Sequence, residues 1–398
     1  MKILVAMSGG VDSTVTAYLL KKEGHEVIGV NFNFIQLRRG ESIRMGEFYE
    51  PELEEIAERL NIKIIYKDYS QEFHDNIIKY FVTEYENGRT PNPCAMCNPT
   101  MKFAKLIKVM REENCDMVAT GHYANVDIIG ASEIVGASST SPTRYCIKKS
   151  ANSQKDQSYM LYRLSQDQLS HIIFPLSDMD KNEVRKIASE LGLKVADKKD
   201  SQDVCFIGVS ESVGASSTSP IDYKEFIKRY EFGPDYKEKI ARGQLKEEDI
   251  LSKPYFKHGE FVDLDGKVLG FHDGIINYTI GQRKGFNIAF GERKFAVKID
   301  AEKNQVVLGS NDDLMSSGFK MKDVVFSGHD ENVIGKKFYA KLRYRHDGTL
   351  CEIVNADSNS DNMIFTCRLD SPVRAITPGQ SAVFYDDEGR VMFGGIIL

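Results

Sequence analysis

Three stretches of this sequence carry side chains that could do chemistry. The first is TPNPCAMCNP, Thr90 to Pro99, where Cys94 and Cys97 stand three apart among three prolines. The second is MSGGVDS, Met7 to Ser13, and the third is DSQDVCFIG, which places Cys205 after a charged turn with Lys198 and Lys199. A C-x-x-C pair can be half a zinc site, a redox pair, or a nucleophile beside a helper. Zinc needs a second ligand pair, and the chain has no second C-x-x-C and no His pair at finger spacing. A thioredoxin-type pair belongs to a different fold without a phosphate loop. Both readings weaken, and a nucleophile stands.

The thiolate is the reactive form of cysteine. Asn98-Pro99 has the form of a helix start, Asn as N-cap and Pro at the first helical position, with Cys97 just before it. A helix N-terminus favours thiolate by about 0.3–1 kcal/mol. Bringing a thiol from about pKa 8.5 to about 7 takes about 2 kcal/mol. A cation must therefore help, and Lys102 is the local candidate. Cys115, Cys146, Cys351 and Cys367 lie in apolar, strand-like runs and read as buried strand cysteines.

MSGGVDS follows an apolar strand directly and opens a helix. Gly9 and Gly10 let the backbone turn its N–H groups inward, and the helix N-terminus adds partial positive charge, which suits phosphate. Ser8 and Ser13 can donate hydrogen bonds, and Asp12 could hold a magnesium ion. The Gly-Lys-Ser/Thr end of a Walker loop is missing.

These groups need a scaffold. In the first 125 residues, KILVAM, EVIGVNF, IKIIY and DMVAT read as strands. Helices are predicted between them over 11–23, 50–60, 70–86 and 99–113. Such alternation predicts an α/β fold with a parallel sheet. Residues 158–192 read as mostly helical, with a capping box at Asp180 and Glu183. Residues 221–250 suggest short helices, and from about Gly285 the pattern is short alternating strands, a small β-barrel or sandwich. The expected organisation is a catalytic domain over 1–208, a central domain over 209–284 and a barrel over 285–398.

With 398 residues, 41% of them hydrophobic and 28% charged, the chain has material for two or three cores and a soluble surface. No run approaches a membrane span, and MKILVAMSGG is too short for a signal peptide, so a cytoplasmic protein with reduced cysteines is expected. The net charge of −6 gives no global basic signal. A local basic face can still bind nucleic acid. KKFYAKLRYRH, 336–346, has five Lys/Arg and no acid; as a strand it puts Lys337, Tyr339, Lys341, Arg343 and Arg345 on one face. GQRKG adds Arg283 and Lys284 on a loop.

MSGGVDS resembles the pyrophosphate-binding loop of ATP pyrophosphatases, which adenylate a substrate oxygen. With GRTPNPCAMCN, ATGHYA, KDQSY, ADKKDSQDVCFIG, YTIGQRKG, RYR and AITPGQSAVFY in this order, the whole chain resembles the tRNA-specific 2-thiouridylases. The resemblance implies a nucleotide-binding domain of the adenine nucleotide alpha hydrolase type, a small central domain and a C-terminal β-barrel. It implies thiolation of the wobble uridine of tRNA, using ATP, Mg2+ and a persulfide donor such as a cysteine desulfurase or sulfur-relay protein. It places Ala6, Met7, Ser8, Gly9, Gly10, Val11, Asp12, Ser13, Phe32 and Gly121 at ATP. It makes Cys97 the nucleophile and Cys205 the persulfide carrier, joined by a transient Cys97–Cys205 disulfide. Asn92, Pro93 and Cys94 would touch the target base. His122, Lys155, Asp156, Gln157, Arg343, Tyr344 and Gln380 would contact tRNA.

Many relatives have Asp in the position of Cys94, where it has a general acid/base role. Cys94 here offers an alternative, an iron–sulfur cluster on Cys94, Cys97 and Cys205 with one iron open. The segment after the second strand also departs from the family's pattern. Two other functions stay open: another adenylating ligase or amidating enzyme, and a catalytically inactive RNA-binding module. IGASEIVGASSTSP (129–142) and IGVSESVGASSTSP (207–220) agree at 12 of 14 positions and read as linker-like insertions.

Overall fold

The structure, a computed structural model, describes residues 1–35, 51–130, 144–152, 155–192, 204–207, 222–286, 288, 291–329, 332–359 and 362–398. Lys198, Lys199 and the two similar insertions, except Ile129, Gly130 and Ile207, lie outside them.

The N-terminal strands are β1 (Lys2–Ala6), β2 (Glu26–Asn33), β3 (Lys63–Asp68), β4 (Met117–Ala119), β5 (Asn125–Ile129), β6 (Arg144–Lys148) and β7 (Ile172–Ile173). Five form a parallel sheet in the order β3-β2-β1-β4-β7. Ile3, Leu4 and Val5 are all fully buried, because helices cover both faces; hence the continuous apolar run. Helix α1 (Val11–Lys22) follows β1, and Gly24, at φ +87°, ends it in a conformation that disfavours a side chain. β5 and β6 form a separate hairpin.

One continuous helix spans residues 93–112, with a π turn at Asn98–Lys102. This corrects the start expected at Asn98-Pro99. The N-cap is Asn92, whose side chain accepts from the Ala95 N–H, and Pro93 takes the first position. Both Asn-Pro pairs carry the same local signal. Pro99 has no N–H to give the Ala95 carbonyl, and the helix widens around it. Cys94, not Cys97, is therefore the cysteine in the first turn.

Residues 158–192 are less helical than expected. They hold short turns at Ser158–Met160 and Gln166–Leu169, β7, and one full helix, Lys181–Glu190. The Asp180/Glu183 capping box at its start is formed. Cys115 is buried but precedes β4 in a loop, whereas Cys146, Cys351 and Cys367 are buried in strands.

Strands β8 (Gly259–Val262), β9 (Val268–His272), β10 (Phe295–Asp300) and β11 (Gln305–Gly309) form one sheet, β10-β11-β8-β9. The barrel start expected at 285 thus falls inside this central sheet. Alternation announces a strand without saying which sheet it joins. The closed barrel comprises β12 (Met315–Phe326), β13 (Lys337–Lys341), β14 (Thr349–Asn359), β15 (Asn362–Arg374), β16 (Ser381–Tyr385) and β17 (Val391–Ile397), in the order β12-β15-β14-β13-β16-β17.

Shared cores fix these parts together. Tyr159, Tyr162, Val383, Tyr385 and Val391 join the sheet domain to the barrel in one apolar cluster. Phe73, Phe81, Phe206, Phe226, Tyr255 and Phe261 join the helix over 70–86 to the central sheet in another. Among the described residues no helix is long and apolar enough to cross a membrane.

Candidate active site

The strand order reverses between β1 and β4, and in open parallel sheets the crevice beyond the strand ends at such a point takes ligands. The loop after β1 and the loop after β4 meet there. Gly9 is at φ +69°, a conformation open to glycine. The Met7 N–H donates to the Val30 carbonyl at 2.8 Å, and Asn31 Nδ2 to the Met7 carbonyl at 2.6 Å. Ser13 Oγ accepts from the Ser8 N–H at 3.2 Å and donates to the Gly10 carbonyl at 3.1 Å. The first-turn N–H groups of α1, from Val11 to Ser13, have no carbonyl within the helix and suit an anion. A Cβ on Gly121 would lie 2.8 Å from the Asp12 carbonyl carbon, so glycine there lets the loop after β4 press on the loop after β1. Phe32, at the end of β2, packs against Phe34 and Tyr69 at 5.6 and 5.4 Å.

Asp12 does not offer magnesium an uncommitted carboxylate. Lys181 Nζ donates to both its oxygens at 2.8 Å, and the Tyr123 hydroxyl donates to Oδ1 at 2.8 Å. Asp12 instead ties the loop to the start of the Lys181–Glu190 helix and to Tyr123.

The three cysteines converge. Cys97 and Cys94 are half-buried and Cys205 is exposed, and their thiols interact electrostatically with one another and with Lys102. Phe206 brings Cys205 here. It is fully buried, with its ring 5.8, 5.2 and 5.2 Å from those of Phe73, Phe81 and Phe226. Burial pushes the Cys97 thiol up to about 12, and the Lys102 charge and backbone N–H only partly oppose it. Cys205, although exposed as a residue, has protein packed close around its thiol; desolvation and Cys94 push it up to about 11. Burial raises Cys94 as well. The resting thiols are therefore protonated, contrary to the thiolate expected at a helix start. Among the described residues, no three His, Cys, Asp or Glu are grouped so as to hold a metal ion.

Several residues expected at the base or tRNA are occupied inside the protein. Asn92 and Pro93 are buried; Asn92 caps its helix and donates to Ser381 Oγ at 3.2 Å. Gln380 donates to the carbonyls of Thr90 and Pro91 at 2.9 and 3.2 Å, so the barrel clamps the segment leading to Cys94. Asp156 is buried, accepting from the Ser150 and Ser158 N–H groups and the Ser158 hydroxyl. Gln157 bonds the Tyr123 backbone in both directions, linking its turn to Asp12 through Tyr123. Lys155 lies in that turn, half-buried. The His122 ring packs beside Phe103 and Phe174.

Arg343 is exposed, and its Nη1 donates to the Arg374 carbonyl at 3.2 Å. Tyr344 is half-buried beside Tyr159. The strand ends at Lys341, so Arg343 and Tyr344 stand in the turn beyond it. Lys341 is half-buried, and burial lowers its pKa. The loop with exposed Arg283 and Lys284 meets this region, since a Cβ on Gly281 would lie 3.1 Å from Ala375 and 3.5 Å from the Arg374 guanidinium.

Sequence reasoning missed Lys181, Tyr123, Thr120, Ser381 and Arg374. A lysine at a helix start, against the dipole preference, was the one available sign for Lys181.

Comparison with known proteins agrees with this three-part layout. Residues 1–209 match the family model described as tRNA methyl transferase HUP domain, 250–310 its PRC-barrel domain, and 316–397 an aminomethyltransferase beta-barrel domain. A tRNA-specific 2-thiouridylase MnmA from Lachnoclostridium phytofermentans is 38% identical over 99% of this chain and 98% of its own. The one from Clostridioides difficile is 36% identical over 100% and 98%. A third, from Caldanaerobacter subterraneus, is 39% identical over 100% and 97%.

Proposed function

Since this chain belongs to the family of the tRNA-specific 2-thiouridylases, we propose that it is a tRNA-uridine 2-sulfurtransferase acting on C2 of the wobble uridine, with ATP as activator. The observation that carries the reading is the convergence of Cys97, Cys205 and Lys102 in one interacting group. A methyl-transfer reading, which the name of the matched family description suggests, leaves those cysteines and the phosphate loop without a task.

The uracil 2-oxygen is a hopeless leaving group until it is adenylated. It attacks the α-phosphorus of ATP, held by the loop from Ala6 to Ser13, and pyrophosphate departs. A persulfide on Cys205, loaded by a donor protein, attacks C2 through its outer sulfur, and AMP leaves. C2 is then joined through a disulfide to Cys205. Cys97 attacks Cys205 Sγ as its thiol proton passes to N3 of the departing base, the S–S bond breaks toward the base, and 2-thiouridine is released. A Cys97–Cys205 disulfide remains, and an external thiol supplies two electrons to reduce it. In the other order, Cys97 attacks first, and the freed sulfide adds to C2. Magnesium arrives with ATP; no residue here is assigned to it.

Incubation with ATP, magnesium, a sulfur source and unmodified tRNA is expected to yield AMP and 2-thiouridine, read by mass spectrometry of the wobble nucleoside. AMP formation that survives loss of both cysteines, without thiolation, would favour another adenylating ligase. No ATP-dependent turnover would favour an RNA-binding module.

The exposed arginines of the barrel turn and central loop suit tRNA phosphates. Arg343→Ala combined with Arg283→Ala should weaken tRNA binding and reduce the slope of log K against log salt by about 2. An unchanged slope would mean that this face is merely solvated.

A further inference from the structure

His122 was expected at the tRNA, yet both of its ring nitrogens are engaged within the protein. Lys102 Nζ lies 3.3 Å from Nε2, and Thr120 Oγ1 lies 2.6 Å from Nδ1. An ammonium group can only donate, so Nε2 accepts from Lys102. Nδ1 then carries the proton and donates to Thr120. The ring packs beside Phe103 and Phe174, at centroid distances of 5.7 and 5.9 Å. Two hydrogen bonds and two aromatic rings thus fix both its tautomer and its plane.

Among the described residues, Lys102 is the group whose positive charge acts on all three thiols, Cys94, Cys97 and Cys205. It sits five residues after Cys97, at the end of the π turn. A lysine side chain has four rotatable carbons and little reason to stay in one place. Here the backbone extends it from the helix side, and the β4 loop meets its tip with an imidazole acceptor.

We infer that His122 is a positioning residue: it tethers the Lys102 ammonium beside the Cys94–Cys97–Cys205 group, so that a fixed positive charge faces sulfur anions formed there. The inference rests on the sulfur-transfer reading above and assigns its electrostatic component to named residues. The imidazole stays neutral, because burial and the neighbouring Lys102 charge hold its pKa well below the usual histidine range. A protonated ring would repel Lys102 instead of holding it. Among the described residues, the charged or titratable groups bearing on Cys97 are Lys102, Cys205 and Cys94, and the one bearing on His122 is Lys102. A preorganised cation of this kind stabilises developing negative charge without reorganising during reaction.

The deciding readout needs neither ATP nor tRNA, so its failure is separate from failure of the thiolation reading. In full-length protein carrying Cys94→Ser and Cys205→Ser, Cys97 is alkylated with iodoacetate, an anion, and with the neutral iodoacetamide. The ratio of the two rates cancels thiol accessibility and thiolate fraction and reports the local charge. Lys102→Met should lower the ratio about three- to tenfold, and Lys102→Arg should restore most of it. His122→Ala should lower it about two- to threefold while leaving tRNA affinity within about twofold. His122→Gln, which keeps an acceptor and more of the packing, should hold the ratio near its starting value. An unchanged ratio in Lys102→Met would remove the charge from the thiol group. An unchanged ratio in His122→Ala, with or without weaker tRNA binding, would overturn the positioning role.

Discussion

Cys97→Ser is expected to stop 2-thiouridine formation, by at least about a thousandfold, while ATP and tRNA affinities stay within about twofold of wild type. The exchange is nearly isosteric, and Cys97 is half-buried within a continuous helix, so the fold should persist. What disappears is sulfur. A serine hydroxyl is a far weaker nucleophile toward a disulfide and cannot form the Cys97–Cys205 bond. Adenylation uses the other end of the site and should continue, so pyrophosphate is released while no 2-thiouridine forms. Cys94→Ser should lose much less, because Cys94 has no bond to make in the scheme. Thiolation assays with parallel equilibrium binding check this. A Cys97→Ser enzyme that still thiolates at a tenth of the wild-type rate would remove Cys97 from the chemistry.

The second large effect is expected at Asp12. Asp12→Ala should reduce AMP formation at least about a hundredfold and leave tRNA binding nearly unchanged. The carboxylate bonds Lys181 through both oxygens, and Lys181 has only 10% of its side chain exposed against 32% for Asp12. Removing one partner of a fully buried pair costs about 3–5 kcal/mol; with Asp12 partly exposed, about 2–3 kcal/mol is expected here. Lys181→Met should give a similar loss, and the double variant should fall well short of the sum, since one interaction is removed twice. Thermal unfolding and AMP release measure the two effects. Normal adenylation in Asp12→Ala would show that the loop does not need this anchor.

The sheet domain was legible because its strands are buried on both faces and separated by helices with clear end signals. Gly24 and the Asp180/Glu183 capping box are local devices, and both act as their residue types dictate. The helix start before Cys97 was not legible in the same way. Asn92-Pro93 and Asn98-Pro99 carry the same local code, and tertiary contacts decide between them: Asn92 is held by Ser381, and Asn98 donates instead to the Met160 carbonyl. The strands at 295–309 were recognisable as strands, and they pair with each other, but β11 also joins β8, upstream of residue 285, and that pairing is not a local property.

For the site, residue types announced the phosphate loop and the cysteines, yet not their surroundings. Asp12 reads as a metal ligand by residue type, and nothing in spacing announces its partner Lys181, distant in sequence. Cys97 reads as a low-pKa thiol until its burial is visible. Asp156 and Gln380 have the polarity of surface contacts, but the structure spends that polarity on Ser150, Ser158, Thr90 and Pro91. Long-range partners of this kind leave no trace in spacing.

The central claim is that sulfur passes from Cys205 to the base with Cys97 as the resolving thiol. A single-turnover experiment tests it most directly. The enzyme is loaded with isotopically labelled persulfide on Cys205 and freed of reductant. It is then mixed with ATP, magnesium and unmodified tRNA, and both nucleoside and protein are analysed by mass spectrometry. The account predicts labelled 2-thiouridine at the wobble position and a Cys97–Cys205 disulfide in equal amount. Label retained on Cys205 while the tRNA is thiolated, or labelled 2-thiouridine formed with Cys97 still a free thiol, would contradict it.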